Sequence, residues 1–201
     1  MPILVLVRHG QSTWNLENRF TGETDIPLTT KGCEEARAAG SKLRDIPFSH
    51  AFTSVLRRAI ETLSLILATA HQEQLPVTCN RALNERNYGR LQGLNKAEVT
   101  NQYGEAQVNL WRRSFSTRPP GGESLADTAA RVLPYYQQAI EPLLREGNDV
   151  LIVAHGNSLR ALMMYLEGIS AEAIADVDLQ TGVPRRYTLD EHGAIKKVDD
   201  L

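Results

Sequence analysis

The chain has 201 residues, 42% hydrophobic and 23% charged, with a formal net charge of -2. Such a composition belongs to an ordinary globular chain and excludes a disordered or fibrous one, while so small a charge gives no reason to expect nucleic acid or an anionic membrane as partner. No apolar run approaches a membrane-spanning length, the N-terminus lacks a basic signal region, and Cys33 and Cys79 form neither a disulfide framework nor a metal pattern, so a reducing, cytoplasmic location is expected.

Ile3 to Val7 is a continuous apolar run, which reads as a strand buried on both faces. It stops at Arg8-His9-Gly10, and ligands of open α/β sheets bind just beyond the carboxyl ends of strands. There a neutral imidazole is a nucleophile, Arg8 can fork onto phosphate oxygens, and Gly10 lets backbone approach closely. The plain alternative is a strand-end histidine with no chemistry. Gln11 to Pro27 follows as a polar loop holding Asn15 and Arg19. Thr29 or Thr30 caps a helix carrying Ala36, Ala39 and Leu43 at helical spacing. Ala51 to Ser54 reads as a short strand, and Ser54 is expected to cap a helix whose buried stripe is Ala59, Leu63, Ile66 and Leu67. A basic residue near a helix start is disfavoured by the macrodipole. Arg57 reads as solvated, whereas Arg58 lies next to the stripe and should point toward the sheet end.

Val77-Thr78-Cys79 reads as an edge strand. Asn84 to Asn95 is polar and contains Glu85, Tyr88 and Gln92; short helices follow over residues 96–103 and 107–114. The second ends in Trp111-Arg112-Arg113, by itself a surface face behind a core tryptophan. Pro119-Pro120-Gly121-Gly122 is a sharp break. Residues 123–146 have helical spacing with a kink expected near Pro134 and an end or weakening near Pro142. Val150 to Ala154 repeats the first pattern: a buried strand, then His155-Gly156-Asn157-Ser158, then a helix whose N-terminus favours anions. Residues 187–189 and 194–198 suggest a closing hairpin. Strands alternating with helices predict one α/β domain over residues 1–201, a doubly wound, mostly parallel sheet with helices on both faces. Two strand–His–Gly units in such a domain can put two imidazoles in one crevice.

These two units resemble the histidine phosphatase superfamily, whose founding members are the phosphoglycerate mutases. The resemblance implies that His9 is phosphorylated, that His155 hydrogen-bonds the phosphoryl group, and that Arg58 binds phosphate. The segment Glu85-Arg86-Asn87-Tyr88-Gly89-Arg90-Leu91-Gln92-Gly93-Leu94-Asn95-Lys96 is more specific. Together with Phe20-Thr21-Gly22, Arg112-Arg113 and Thr181-Gly182-Val183-Pro184, it resembles the cofactor-dependent phosphoglycerate mutases over nearly the whole chain. That likeness implies interconversion of 2- and 3-phosphoglycerate through phospho-His9, primed by 2,3-bisphosphoglycerate, with Glu85 as acid and base. It also implies that Arg8, Arg58, His155 and Asn15 hold the transferring group and that Tyr88, Lys96, Arg112 and Arg113 hold the far end. Thr21, Gly22, Gly156 and Asn157 are further binding positions. A bisphosphate needs several cations and no hydrophobic pocket, which these side chains supply. The same ring of positive charge argues against His9 and His155 as metal ligands, so no metal is expected. Small-molecule phosphoglycerates are the expected partners, and a homo-oligomer is compatible with this reading.

The rival enzyme is a histidine phosphatase of small phosphomonoesters, in which water takes the phosphoryl group from His9. Pro119-Pro120-Gly121-Gly122-Glu123-Ser124 supports it, because the longer mutases carry an insertion there. A non-catalytic phospho-ligand module is the other rival; His9, His155 and Glu85 together speak against it. His50, His71 and His192 have no such setting. The chain stops at Leu201 directly after the hairpin. In longer relatives a tail lies over the site, so a measurable bisphosphoglycerate phosphatase leak is expected from the thinner cover.

Overall fold

Leu4 to Val7 are fully buried, as a strand covered on both faces requires. A computed structural model describes residues 1–201 and shows how the covering is arranged. Strands β1 (Ile3–Arg8), β2 (His50–Thr53), β3 (Val77–Cys79), β4 (Val150–Ala154), β5 (Pro184–Leu189) and β6 (Ile195–Asp200) form one sheet ordered β3-β2-β4-β1-β5-β6. β1, β2 and β3 join β4 in a parallel block, while β5 runs antiparallel to both β1 and β6. The helices are α1 (Thr13–Leu16), α2 (Thr30–Leu43), α3 (Arg57–Ala70), α4 (Lys96–Tyr103), α5 (Glu105–Arg113), α6 (Leu125–Tyr135), α7 (Glu141–Arg145) and α8 (Gly156–Glu167). None is long and apolar enough to cross a membrane.

Side chains alternate across a strand, so each central strand feeds two cores. Val5, Val7, Leu151 and Val153 pack with Ala39, Leu43, Leu63 and Ile66 of α2 and α3. Leu4, Leu6, Val150 and Ile152 pack with Val132, Leu159 and Leu162 of α6 and α8. Each such side chain stabilises the fold by roughly 1.5–3 kcal/mol relative to exposure. A third, smaller cluster joins Phe20, Leu91, Val99, Val108 and Trp111, and so seats α4 and α5 beside the loop after β1.

The elements follow the sequence pattern with five departures. The polar loop after β1 holds the short helix α1, because Ser12 and Asn15 satisfy each other's backbone N–H groups. Ser54 does not cap α3; Leu56 occupies the cap position without a side-chain bond. The second short helix starts at Glu105 rather than Gln107, immediately after Gly104, whose φ of 83° breaks it from α4. Pro134 sits inside α6, and the disturbance comes one turn later as a π-helical turn over Tyr136–Ile140. Pro142 opens α7 instead of ending a helix.

Gly10 does permit a close approach, but the approaching backbone belongs to α2. A Cβ on Gly10 would run into the Gly32 carbonyl, and one on Gly32 would run into the Gln11 carbonyl. Alanine ordinarily stabilises a helix interior over glycine by about 1 kcal/mol. Gly32→Ala should instead lose stability by about 1–3 kcal/mol, because the added methyl overpacks a backbone contact. Thermal or urea unfolding checks the sign; a stabilised variant would show that this contact yields.

Candidate active site

The register Arg8↔Ala154 brings the carboxyl ends of β1 and β4 level. The His9 N–H donates to the Ala154 carbonyl at 2.9 Å. His9 and His155 therefore lie side by side, ring centroids 5.0 Å apart, and both are buried. Nδ1 of His9 lies 2.7 Å from the Gly10 carbonyl, a pure acceptor, so the proton belongs on Nδ1 and the Nε2 lone pair is free. Arg58 donates to that Nε2 at 3.3 Å and to the Thr24 and Gly22 carbonyls at 2.9 and 2.7 Å. Burial above all, then Arg58 and Arg8, holds the His9 pKa well below the ordinary histidine value, with the Gly10 carbonyl opposing. Burial, Arg58 and then His9 do the same to His155. Arg58 is itself pushed down to about 10, by burial first, with Glu85 and Asp25 opposing, and stays a cation near neutrality.

Ser54, free of any capping duty on α3, meets His155 Nε2 at 2.7 Å through its Oγ. The same Oγ accepts from the Leu56 N–H. His155 Nδ1 is buried without a partner.

Glu85 is held by one oxygen only. Its Oε1 accepts from the Arg86 N–H at 2.8 Å and from the Asn157 backbone and side-chain amides at 3.1 and 3.0 Å. A Cβ on Gly156 would stand 3.7 Å from Glu85 Oε2 and 3.6 Å from Arg8 Nε, which shows those two atoms facing the same gap at the start of α8. Asn157 also donates to the Tyr88 hydroxyl, which accepts from Arg86 at 2.9 Å. Burial opposes ionisation of Tyr88, but the Arg86 charge and the hydrogen bonds from Arg86 and Asn157 together outweigh it and the pKa is lowered. Lys96 is lowered too, by burial and then by Arg112.

One cavity collects these groups. It is lined by Arg8, His9, Asn15, Thr21, Gly22, Arg58, Glu85, Tyr88, Lys96, Arg112, Arg113, Gly156 and Asn157, all singled out in the sequence. His155 is the exception: it is fully buried and does not line the open cavity. Arg19, Phe20, Arg160 and Asp178 complete the lining. Seven lining side chains are cationic and two are carboxylates, although the whole chain carries a charge of -2. No group of three or more His, Cys, Asp or Glu is arranged to hold a metal ion.

The sequence of this chain matches the model of the Histidine phosphatase superfamily (branch 1) over residues 4–198. It is 63% identical to the 2,3-bisphosphoglycerate-dependent phosphoglycerate mutase of Cytophaga hutchinsonii, over 93% of this chain and 87% of that one. The chain belongs to the histidine phosphatase superfamily. Within this superfamily, solved structures similar to it include a phosphoglycerate mutase from Bacillus anthracis, with TM-score 0.81, 25% identity and coverage of 100% of this chain and 92% of that one. A mycobacterial glucosyl-3-phosphoglycerate phosphatase superposes as well, with TM-score 0.82, 27% identity and coverage of 99% and 98%. The superfamily fold thus serves hydrolysis and mutase chemistry alike, and side chains decide between them.

Two buried arginines escaped the sequence reading. Arg86 stacks over the Tyr88 ring at 4.6 Å and donates to the Arg112 carbonyl. Arg160 donates to Asn157 Oδ1 and to the Ile174 carbonyl. The available signal was a guanidinium in the apolar stripe of α8, one turn after Gly156. Asp178, 3.9 Å from Arg113, gave no signal at all. The other histidines stay apart from the superfamily site. His50 pairs with Thr78, His71 ends α3 in a left-handed conformation, and the side chain of His192 is 83% exposed.

Two depressed histidines set a direction for acid stability. The unfolded chain takes up a proton on each near an ordinary pKa of about 6.5, and the folded protein does not. Neither costs stability above that pH. Below it, each removes up to about 1.4 kcal/mol per pH unit. Urea unfolding of His155→Asn against the parent checks this. The variant should lose less stability between neutral and mildly acid pH, and an unchanged slope would show that His155 charges freely when folded.

Proposed function

We propose that this chain interconverts 2-phosphoglycerate and 3-phosphoglycerate as a 2,3-bisphosphoglycerate-dependent phosphoglycerate mutase, with residues 1–201 acting as one catalytic domain in the cytoplasm. One observation carries the reading. A neutral, buried His9 meets a cavity whose cations come from two separate parts of the chain: Arg8 and Arg58 at the sheet end, and Lys96, Arg112 and Arg113 on α4 and α5. A phosphatase needs one anion site beside its nucleophile. A ligand with phosphate at one end and phosphate or carboxylate at the other uses both sets.

The unpaired groups fit such a ligand. Of six buried side-chain atoms without a partner, Arg8 Nε and Arg160 Nε belong to lining residues, and Arg86 Nε and Nη1 and His155 Nδ1 to residues packed against the lining side chains Tyr88 and His9. An unmatched buried donor costs about 1–3 kcal/mol, which an anionic ligand offsets on binding. The bisphosphate, when bound, supplies the phosphoryl group that primes His9.

In this reading His9 Nε2 attacks phosphorus, and the bond from phosphorus to the leaving oxygen breaks. Arg58 moves its Nε contact from His9 to the phosphoryl oxygens. Arg8, Asn15 and His155 hold those oxygens, while Tyr88, Lys96, Arg112 and Arg113 hold the end that does not react. Thr21, Gly22, Gly156 and Asn157 shape the wall between them. Glu85 gives its proton to the leaving oxygen and takes one from the attacking hydroxyl in the return step, through Oε2, the oxygen its neighbours leave free.

Interconversion of the two phosphoglycerates, assayed with and without 2,3-bisphosphoglycerate, tests the reading. We expect turnover that depends on the bisphosphate, with little phosphate released. Phosphate release without interconversion would establish the phosphatase instead. Glu85→Gln keeps the hydrogen-bonded oxygen and removes the proton carrier, so turnover should fall by about 10²–10⁴-fold. A rate near that of the parent would assign the proton to another group.

A further inference from the structure

The turn Pro119–Ser124 lines no part of the cavity, yet it lies backbone to backbone against the segment that carries Glu85. The Arg90 N–H donates to the Pro120 carbonyl at 2.9 Å, and the Glu123 N–H to the Asn87 carbonyl at 2.8 Å. A Cβ on Gly89 would run into the Pro120 carbonyl, and one on Gly122 would crowd the Asn87 carbonyl. Glu123 Oε2 then accepts from the Asn87 N–H at 3.0 Å.

Arg131, on α6, completes the arrangement. Its Nη1 donates to the carbonyls of Ala82 and Asn84 at 2.8 and 3.0 Å, and its Nη2 to the Glu85 carbonyl at 3.0 Å. Nε and Nη2 also donate to Glu123 at 3.1 and 3.0 Å. These five bonds use all five guanidinium N–H groups. A guanidinium so saturated has nothing left for a ligand; it orients three peptide units around Glu85, including those on either side of it. Burial raises the Glu123 pKa, but hydrogen bonds from Arg131 and the Asn87 N–H outweigh it and keep the carboxylate ionised.

We propose that Arg131 and Glu123 are positioning residues that hold the Glu85 carboxylate where it exchanges protons with the substrate hydroxyl. The inference rests on the reading of Glu85 as the acid and base. It also gives the Gly121-Gly122-Glu123-Ser124 motif a role that a mutase and a phosphatase share, so the motif does not favour hydrolysis. The backbone of this loop is fixed from behind by charge and from the side by glycine contacts. The Glu85 side chain therefore inherits its place from residues that never touch the ligand.

The test compares two phosphoryl donors in Glu123→Gln and Arg131→Lys. Phosphoglycerate needs a proton on its leaving oxygen, whereas p-nitrophenyl phosphate expels a stable anion without one. Misplacing a catalytic group by about 1 Å can cost roughly 10²-fold, so phosphoglycerate turnover should fall by about ten- to hundred-fold. The p-nitrophenolate burst that reports phosphorylation of His9 should stay within about threefold of the parent, as should Michaelis constants for phosphoglycerate. In a Glu85→Gln background, Glu123→Gln should cost nothing further, because both act on one group. Equal losses with both donors, additive losses in the double variant, or an unchanged phosphoglycerate rate would each overturn the proposal. If Glu85→Gln alone leaves phosphoglycerate turnover intact, the assignment of Glu85 fails and takes this inference with it. A strong Glu85→Gln effect beside silent Arg131 and Glu123 variants overturns the inference alone.

Discussion

The parallel pairing of β1 with β4 is the constraint on which the site depends. These strands are distant in sequence but adjacent in the sheet, and their register ends both on the same level. Both are buried on two faces, so a slip of one residue would turn each apolar set toward the wrong core. The packing that fixes the register therefore also fixes the spacing of the two imidazoles. Burial at that point does a second thing: it favours the neutral form of both rings, the form in which an imidazole nitrogen has a lone pair to donate.

Positive charge gathered around two neutral rings needs support before a ligand arrives, and backbone carbonyls give much of it. Arg8 donates to Leu179, Arg58 to Gly22 and Thr24, Arg86 to Arg112, and Arg160 to Ile174. Each bond ties a loop or a helix end to a cation in or beside the cavity. The loops after β1 and α8 and the C-terminal turn of α5 are thereby organised by these arginines. Oriented dipoles set in place beforehand cost no reorganisation when charge shifts during reaction.

The same fold serves phosphatases and mutases, as the structural neighbours show. In this chain α4 and α5 are held against Phe20 by a small core of their own. Trp111 and Val108 bury one side of α5 there, and Arg112 and Arg113 at its C-terminus face the cavity. Cations at that end of a helix are favoured by its dipole. A local packing decision thus places a second group of cations on the cavity wall, apart from Arg8 and Arg58.

The sequence by itself determined the central strands, the helices that cover them and the two histidines, because apolar runs and helical stripes report burial directly. It also placed Arg58 correctly, since a cation beside a buried stripe has few directions to point. Likeness to a known family picked out Glu85, Lys96 and the arginine pair. Tertiary structure alone decided the rest. Ser54 turned from a cap into the partner of His155, because the ring stands where only a folded sheet can bring it. Arg86, Arg131 and Arg160 bind carbonyls far away in the chain, and no periodicity encodes such contacts. Asp178 joined the cavity through a loop without a pattern. Local spacing records which side of an element is buried; which distant carbonyl or ring it meets is set only when the elements pack.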